Sequence, residues 1–245
     1  MINPILLTAL NQYFVANMPL NFVVNPSIPI LYFGDEVAYR SSNLKVITVG
    51  KNPSLNEFLD PITYSYNIGY RFPNWNGTNL MQVLDEYFRQ NPLRQWFSSF
   101  EPILNGKNCS YYTNTKFQNI ALHTDICSPL ATDPTWSKLN INQKQLLFPQ
   151  GVKIWWNLVK DLAPDIILVS IPQNLFQNNI SNVLGQPIYT ITHRTNGNIR
   201  TKPYLVYQQQ LNINNKMTKI VFGQAANKPF GTITNADKLI IGGLI

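Results

Sequence analysis

Leu44-Lys45-Val46-Ile47-Thr48-Val49-Gly50-Lys51-Asn52-Pro53-Ser54 is the stretch of this sequence that decides the fold. Its first part is rich in Val and Ile, which predicts a buried β-strand over residues 44–49. Gly50 and Pro53 then end the strand sharply, and Pro53 favours an extended conformation at Asn52. Because ligands of open α/β sheets bind at the carboxyl ends of strands, Asn52 is a candidate functional residue. A purely structural turn is the alternative interpretation.

Helical and strand patterns alternate on both sides of this segment. Apolar spacing predicts helices up to about residue 17, from Thr78 to Pro92, over 142–162 with an interruption at Pro149, around 173–184, and from about Asn235. Short apolar runs predict strands over residues 29–34, 117–123, 165–170, 188–192, 204–208 and 219–222. The alternation predicts the α/β class, as a three-layer α/β/α sandwich with a central, mainly parallel sheet and one domain over residues 1–245.

The charge of the chain favours a polyanionic partner. Lys and Arg number 19 against 12 Asp and Glu, giving a net charge of +7 and a pI near 9.4. Lys and Arg side chains that neutralise phosphates release counterions, so this balance fits nucleic acid. The alternative is a mildly basic protein whose charge serves no partner.

The cysteine content and the N-terminal residues exclude several further classes of protein. Cys109 and Cys127 are the only cysteines, which excludes a disulfide framework and is too few for an all-cysteine iron–sulfur site. Residues 5–7 are apolar, but the run is too short for a membrane span and lacks a basic region before it. We therefore expect a soluble, cytoplasmic protein without membrane, metal or cofactor, and a monomer.

Most of the candidate catalytic and binding residues lie in three segments, each at the end of a predicted strand. They are Gly50-Lys51-Asn52-Pro53-Ser54, His123-Thr124-Asp125-Ile126-Cys127-Ser128-Pro129 and Phe222-Gly223-Gln224-Ala225-Ala226-Asn227-Lys228-Pro229-Phe230-Gly231. The carboxyl ends of parallel strands meet at one sheet edge, so these segments are predicted to converge. A long aromatic loop over residues 51–77 follows the first strand, and such loops inside compact domains are usually functional.

This order of motifs resembles the uracil-DNA glycosylase superfamily. Gly50-Lys51-Asn52-Pro53 looks like the Gly-x-Asn/Asp-Pro turn of that superfamily, in the form with Asn at the acidic position. The strand ending at His123 looks like the segment that reads the flipped base, and its Cys127-Ser128-Pro129 tail is similar to some bacterial branches. The segment after Phe222 stands where the superfamily has its last active-site loop. The resemblance implies a glycosylase that flips a base out of DNA and hydrolyses its N-glycosidic bond.

The chemistry of base excision assigns roles to three polar residues. Breaking the bond builds positive charge on the sugar and negative charge on the base, so the site needs a positioned water and donors to the base. Asn52 is predicted to hold the water, Asp125 to act as the nearby carboxylate, and His123 to donate to the base. Which of the three positions the water stays open. Lys51 is interpreted as a phosphate contact rather than a covalent nucleophile.

Base flipping also requires stacking and backbone contacts. The predicted base-binding residues are Tyr66, Tyr70, Phe72, Gln224 and Asn227. The predicted DNA-binding residues are Lys51, Ser54, Ser128, Arg194, Arg200, Lys228 and Phe230, the last as a wedge into the gap left by the flipped nucleotide.

Two departures from the superfamily pattern point away from plain uracil. His123 stands in place of the base-reading Asn, and the last loop has Gln224 and Asn227 but no His. A single imidazole tautomer cannot present the donor and acceptor pair of an amide. We therefore expect a modified pyrimidine as substrate, such as glucosylated hydroxymethylcytosine of phage DNA, in anti-phage defence. The alternatives are a uracil or mismatch repair glycosylase, a catalytically silent DNA-binding module of the same fold, and a nucleoside hydrolase.

Overall fold

A computed structural model describes residues 1–113, 115–225 and 228–245. The chain forms two compact units, each built from three separate segments. Unit 1 comprises Met1–Val37, Gly50–Leu93 and Leu122–Leu162, and unit 2 comprises Ala38–Val49, Arg94–Ala121 and Ala163–Ile245. The single domain expected over residues 1–245 stays a prediction.

The strands of the described residues form one seven-stranded sheet with the order β2-β3-β1-β4-β7-β6-β5. They are β1 (Val46–Gly50), β2 (Cys109–Ser110), β3 (Asn119–Asp125), β4 (Ile166–Val169), β5 (Gln186–His193), β6 (Ile199–Ile213) and β7 (Lys216–Gly223). Most of the sheet belongs to unit 2, whereas Gly50 and residues 122–125, which end β1 and β3, are counted with unit 1. With the helices between the strands, this confirms the α/β class.

The direction of the strands changes across the sheet. β4 is parallel to both β1 and β7, and Val49, Val169 and Phe222 lie in one row, so these strands end at the same edge. All residues of β4 are buried, as expected for a strand with parallel neighbours on both sides. β6 is antiparallel to β7 and to β5, whereas β2 is parallel to β3 and β4 is parallel to both of its neighbours, so the sheet is mixed.

The helices of unit 2 lie between and after its strands. They are α4 (Arg94–Phe97), α5 (Glu101–Gly106), α7 (Gln173–Asn179) and α8 (Asn235–Leu244). α8 begins with a capping box, in which the Thr234 hydroxyl accepts from the Asp237 N–H at 3.0 Å and the Asp237 carboxylate accepts from the Thr234 N–H at 3.1 Å. α5 and α8 pack closely through glycines, since a Cβ on Gly242 would lie 2.1 Å from the Ile103 carbonyl oxygen.

The helices of unit 1 are α1 (Pro4–Asn17), α3 (Leu80–Asp85) and α6 (Ile141–Leu162), and α2 (Glu36–Ser41) crosses the boundary at residue 37. α1 begins at Pro4 because the Asn3 side chain accepts from the Ile5 N–H at 2.9 Å. The Tyr13 hydroxyl donates to the Leu147 carbonyl at 2.9 Å and so joins α1 to α6. No helix in the described ranges has the length and apolar character needed to cross a membrane.

Two local predictions differ from the structure. The strand expected over residues 29–34 is wrong, because among the described residues this segment makes a single bridge, between Phe33 and His123. The interruption expected at Pro149 is also wrong, since α6 continues through it. The 51–77 loop contains short 3-10 turns over Leu55–Glu57 and Ile68–Tyr70.

Candidate active site in unit 1

Main-chain hydrogen bonds join the two segments that leave β1 and β3. The Ile126 N–H donates to the Gly50 carbonyl at 3.1 Å, and the Cys127 N–H donates to the Lys51 carbonyl at 2.7 Å. The pairing therefore continues past the ends of the strands. Within unit 1, it brings together two of the three motifs whose convergence the sequence predicts; the third, after Phe222, belongs to unit 2.

His123 and Asp125 form a buried pair against Gly50. His123 Nε2 lies 3.7 Å from Asp125 Oδ1, and the two residues are 1% and 8% exposed. A Cβ on Gly50 would lie 2.5 Å from Asp125 Oδ1 and 3.0 Å from His123 Nε2. Only glycine leaves room for an imidazole and a carboxylate at this point, so the first residue of the Gly50-Lys51-Asn52-Pro53 turn has a direct structural purpose.

The Asn52 amide is held in one orientation. Its Nδ2 donates to the Leu130 carbonyl at 3.2 Å and to the Thr132 hydroxyl at 3.3 Å. The side chain is half-buried, and Oδ1 has no donor among the described residues. Because the nitrogen is fixed by the segment after β3, the carbonyl oxygen is the atom that remains to accept a hydrogen bond from water.

The side chains of Lys51 and Ser54 both make hydrogen bonds within the protein. The Lys51 amine donates to the Ser137 hydroxyl. Burial, together with the charge of Lys144, lowers the pKa of Lys51, against the opposing charge of Asp125. The Ser54 hydroxyl caps the following 3-10 turn by accepting from the Asn56 N–H at 3.2 Å. Both residues lie beside Asn52 in sequence, but neither is a fully solvated side chain.

Glu57 is a buried carboxylate that the sequence prediction missed. It is 2% exposed, accepts from the Tyr87 hydroxyl at 2.6 Å and lies 3.9 Å from Arg71 Nε. The pKa of Glu57 is raised to about 7, because the effect of burial, with a smaller one from the Asp125 charge, outweighs the lowering by Tyr87 and Arg71. A buried carboxyl group whose pKa is raised to near neutrality is common at sites of acid–base chemistry.

Aromatic contacts connect the partner of Glu57 with the His123 side chain. The Tyr87 ring lies 4.6 Å from the Phe33 ring, and Phe33 lies 5.9 Å from the His123 ring. The available signal for Glu57 was an acidic residue placed directly before Phe58 in an aromatic loop. An acidic residue next to apolar ones is common at surfaces too, so the sequence alone does not single it out.

The three aromatic residues predicted to bind the base differ in position. Tyr66 is half-buried and its hydroxyl donates to Asp133 Oδ2 at 2.5 Å; burial, together with this bond, raises its pKa to about 12. Tyr70 is half-buried, with the Arg71 guanidinium 5.0 Å from its ring centre. Phe72, by contrast, is 1% exposed and packs in the core of the loop, so it does not present a stacking face.

Ser128 does not fit the predicted phosphate contact. It is fully buried, its Oγ lies 3.0 Å from the Tyr13 hydroxyl, and it accepts from the Leu130 N–H at 3.0 Å. Both contacts hold the segment after β3 in shape. Ser128 is therefore a structural residue that supports the turn on which Asn52 depends.

The remaining predicted residues belong to unit 2. Phe230 does not fit the predicted wedge, because it is fully buried, packs on Gly223, and donates its N–H to the Ser170 hydroxyl at 2.9 Å. Asn227 lies outside the described residues. Exposed positions are held by Gln224, Arg194 and Lys228, whereas Arg200 is half-buried.

Among the described residues, no group of three or more His, Cys, Asp or Glu side chains is placed to hold a metal ion. Comparison with family models, curated proteins and solved structures gave no match. The chemistry of the site therefore has to be argued from its own residues.

Proposed function

We propose that this protein is a monofunctional DNA glycosylase that flips a base out of DNA, hydrolyses its N-glycosidic bond and leaves an abasic site. The observation that carries the proposal is the buried His123–Asp125 pair against Gly50, next to the oriented Asn52 amide. The proposal includes a three-layer α/β/α sandwich of the uracil-DNA glycosylase type. It also includes action as a cytoplasmic monomer.

The reaction breaks the bond between C1′ of the sugar and the ring nitrogen of the base. The bonding electrons leave with the base, and the sugar becomes an oxocarbenium-like cation. Water attacks C1′ and loses a proton, and the departing base gains one. The protein therefore has to orient the water, accept its proton and stabilise negative charge on the base.

The residues of unit 1 can be assigned to the first two of these roles and to stacking on the base. Asn52 Oδ1 accepts a hydrogen bond from the water, because its amide nitrogen is already bound at Leu130 and Thr132. Asp125 takes the proton. His123 Nε2 lies 3.7 Å from Asp125 Oδ1 and positions this carboxylate. Tyr66 or Tyr70 supplies the ring that stacks on the flipped base.

A modified pyrimidine is the substrate class that these residues favour. His123 stands where an amide would read uracil, and it is 1% exposed, so it does not offer an open donor and acceptor pair to a base. We propose glucosylated hydroxymethylcytosine of phage DNA as the substrate, with anti-phage defence as the biological role. Uracil or mismatch repair is the alternative glycosylase function.

An abasic-site assay tests the proposal. Plain duplex, U:G duplex and phage DNA with hydroxymethylcytosine or its glucosylated form are incubated with the protein and then treated with alkali. We expect strand breaks on one modified substrate. Asn52→Ala and Asp125→Asn should each reduce the rate by at least about 100-fold, as is usual when a positioned acid–base group is lost.

The matched control is Asn182→Ala, which removes an exposed amide in unit 2 and should leave excision unchanged. Breaks on U:G duplex alone would replace the modified-base substrate by uracil repair. DNA binding without breaks on any substrate would contradict the glycosylase and support a silent binding module.

A further inference from the structure

The positive charge of the chain is concentrated in one segment of unit 2. Between Asp165 and Asp237 the sequence contains no Asp or Glu. The same segment holds Arg194, Arg200, Lys202, Lys216, Lys219 and Lys228. Six of the seven surplus positive charges of the chain therefore lie here, on and around β5, β6 and β7.

The antiparallel pair of β5 and β6, with the turn between them, forms what we call the β5–β6 ribbon (residues 186–213). β5 is the last strand of the sheet, so one side of the ribbon has no neighbouring strand among the described residues. Every residue from Thr192 to Ile199 is exposed, as are Thr201, Lys202 and Pro203. The ribbon therefore ends in an accessible tip.

A bulge in β6 carries two of the basic residues. Ile191 and His193 on β5 pair with Tyr204 and Ile199 on β6. Between these two pairs, β5 has one residue and β6 has four. The extra residues of β6 include Arg200 and Lys202. Bulges redirect side chains away from the regular alternation of a strand, and Pro203 is compatible with such an irregular position.

Arg200 and Tyr204 fix the segment that carries Lys228 against the ribbon. The Arg200 guanidinium donates to the Thr232 carbonyl and, at 2.9 Å, to the His193 carbonyl. The Tyr204 hydroxyl donates to the Gln224 carbonyl at 2.8 Å. These bonds lie on both sides of Lys228 in sequence, so they hold its segment beside the start of β6.

Three exposed cations of this region have no acidic partner among the described residues. They are Arg194, Lys202 and Lys228, and all three are exposed. Lys216, at the other end of β6, is different because it pairs with Asp165 at 2.6 Å. The carboxylate of Asp237 is already bound by Thr234 and by the Tyr189 hydroxyl.

We propose that the β5–β6 ribbon, together with Lys228, binds the sugar–phosphate backbone of duplex DNA. The major groove of B-form DNA, about 12 Å wide, admits a two-stranded antiparallel ribbon, whereas the major groove of duplex RNA is too narrow. The uncharged side chains at the tip suit phosphates and base edges rather than a lipid surface: Thr192, Thr195, Asn196, Asn198 and Thr201. DNA as the partner rests on the proposed function, but the binding does not require excision.

The test measures binding of a fluorescent plain duplex by anisotropy over a range of salt concentrations. The variant Arg194→Gln/Lys202→Gln/Lys228→Gln removes the three unpaired cations. We expect its affinity at physiological salt to fall by at least about tenfold, and the slope of log K against log salt to decrease by about 2 to 3, for three lost phosphate contacts. Arg194→Glu alone should weaken binding in the same direction.

The control Lys116→Gln/Lys153→Gln/Lys160→Gln removes the same net charge from exposed positions outside the ribbon and should retain the wild-type slope. Equal weakening by both triple variants would overturn the proposal, because net charge alone would then explain binding. Wild-type affinity of the ribbon variant would also overturn it, as would ribbon-dependent binding to anionic vesicles but not to DNA. All variants are checked for an unchanged thermal transition.

The abasic-site assay separates this inference from the proposed function. Ribbon-dependent DNA binding without excision on any substrate would contradict the glycosylase and leave the ribbon as the DNA-binding surface. Excision and DNA affinity that are both unaffected by the ribbon substitutions would support the glycosylase and contradict the ribbon as its DNA-binding surface.

Discussion

Gly50 is the residue on which the candidate site most directly depends. In Gly50→Ala the new methyl group would lie 2.5 Å from Asp125 Oδ1 and 3.0 Å from His123 Nε2. Both side chains are buried, so they cannot move away without disturbing their neighbours. We expect a loss of about 1–3 kcal/mol in the free energy of unfolding, measured by urea titration, and loss of excision even where the variant is folded.

The control for this substitution is Gly69→Ala in the exposed 51–77 loop. Its new Cβ would meet only the end of the Asn67 side chain, at 3.3 Å. Stability should change little, and excision should persist. Equal effects of the two substitutions would contradict the special role of Gly50.

Glu57 makes stability depend on pH. Because burial raises its folded-state pKa to about 7 from an ordinary 4.5, the folded protein binds more protons than the unfolded chain between these values. Its contribution to stability is therefore present below about pH 4.5 and is lost as the pH rises through about 7. Relative to Glu57→Gln, the wild type should lose up to about 3 kcal/mol over this range.

Urea titrations of both proteins from pH 4.5 to 8 measure the difference. Glu86→Gln is the control, because hydrogen bonds from Asn74 and Gln82 lower the pKa of Glu86 and its titration therefore falls below this range. Its stability difference from the wild type should stay nearly constant between about pH 5 and 8. A wild-type curve parallel to that of Glu57→Gln would show that Glu57 does not titrate in this range.

At the scale of elements, α8 contains two neighbouring glycines with opposite expectations. A Cβ on Gly242 would lie 2.1 Å from the Ile103 carbonyl oxygen of α5, whereas a Cβ on Gly243 would meet nothing within 4 Å. Gly242→Ala should therefore lower the melting temperature by separating the helices. Gly243→Ala should leave it unchanged or raise stability by up to about 1 kcal/mol, since Ala favours helix. Calorimetry of the two variants tests the packing of α5 on α8.

The elements that the sequence predicts best are those with one dominant signal. β4 and β7 are apolar runs, and α8 has helical spacing from about Asn235, so all three appear where the pattern places them. The segment over 29–34 is just as apolar but is buried as irregular chain, which burial alone cannot reveal. Pro149 was expected to interrupt α6, but packing of this helix on unit 1 residues such as Tyr13 outweighs local preference.

At the scale of the whole molecule, some features of the candidate site could be predicted from the sequence and others could not. The meeting of the β1 and β3 ends follows from parallel topology, so Asn52, His123 and Asp125 could be chosen from the sequence. Burial could not be predicted from the sequence. Phe72 and Phe230 are aromatic residues in polar loops, and this pattern is the same whether they face a ligand or the core. The burial of Glu57 was missed as well, because its partners Tyr87 and Arg71 are distant in sequence.

The distribution of stability over the molecule gives the last prediction. β4 is fully buried with a strand on each side, whereas residues 194–199 lie exposed at the tip of the β5–β6 ribbon. In native-state hydrogen exchange, β4 amides should open only with global unfolding, and the tip should exchange almost without protection. Added duplex DNA should slow exchange at the tip in the wild type but not in Arg194→Gln/Lys202→Gln/Lys228→Gln. Slowing that is equal in both proteins would place the DNA elsewhere, because the contact would then not depend on the ribbon cations.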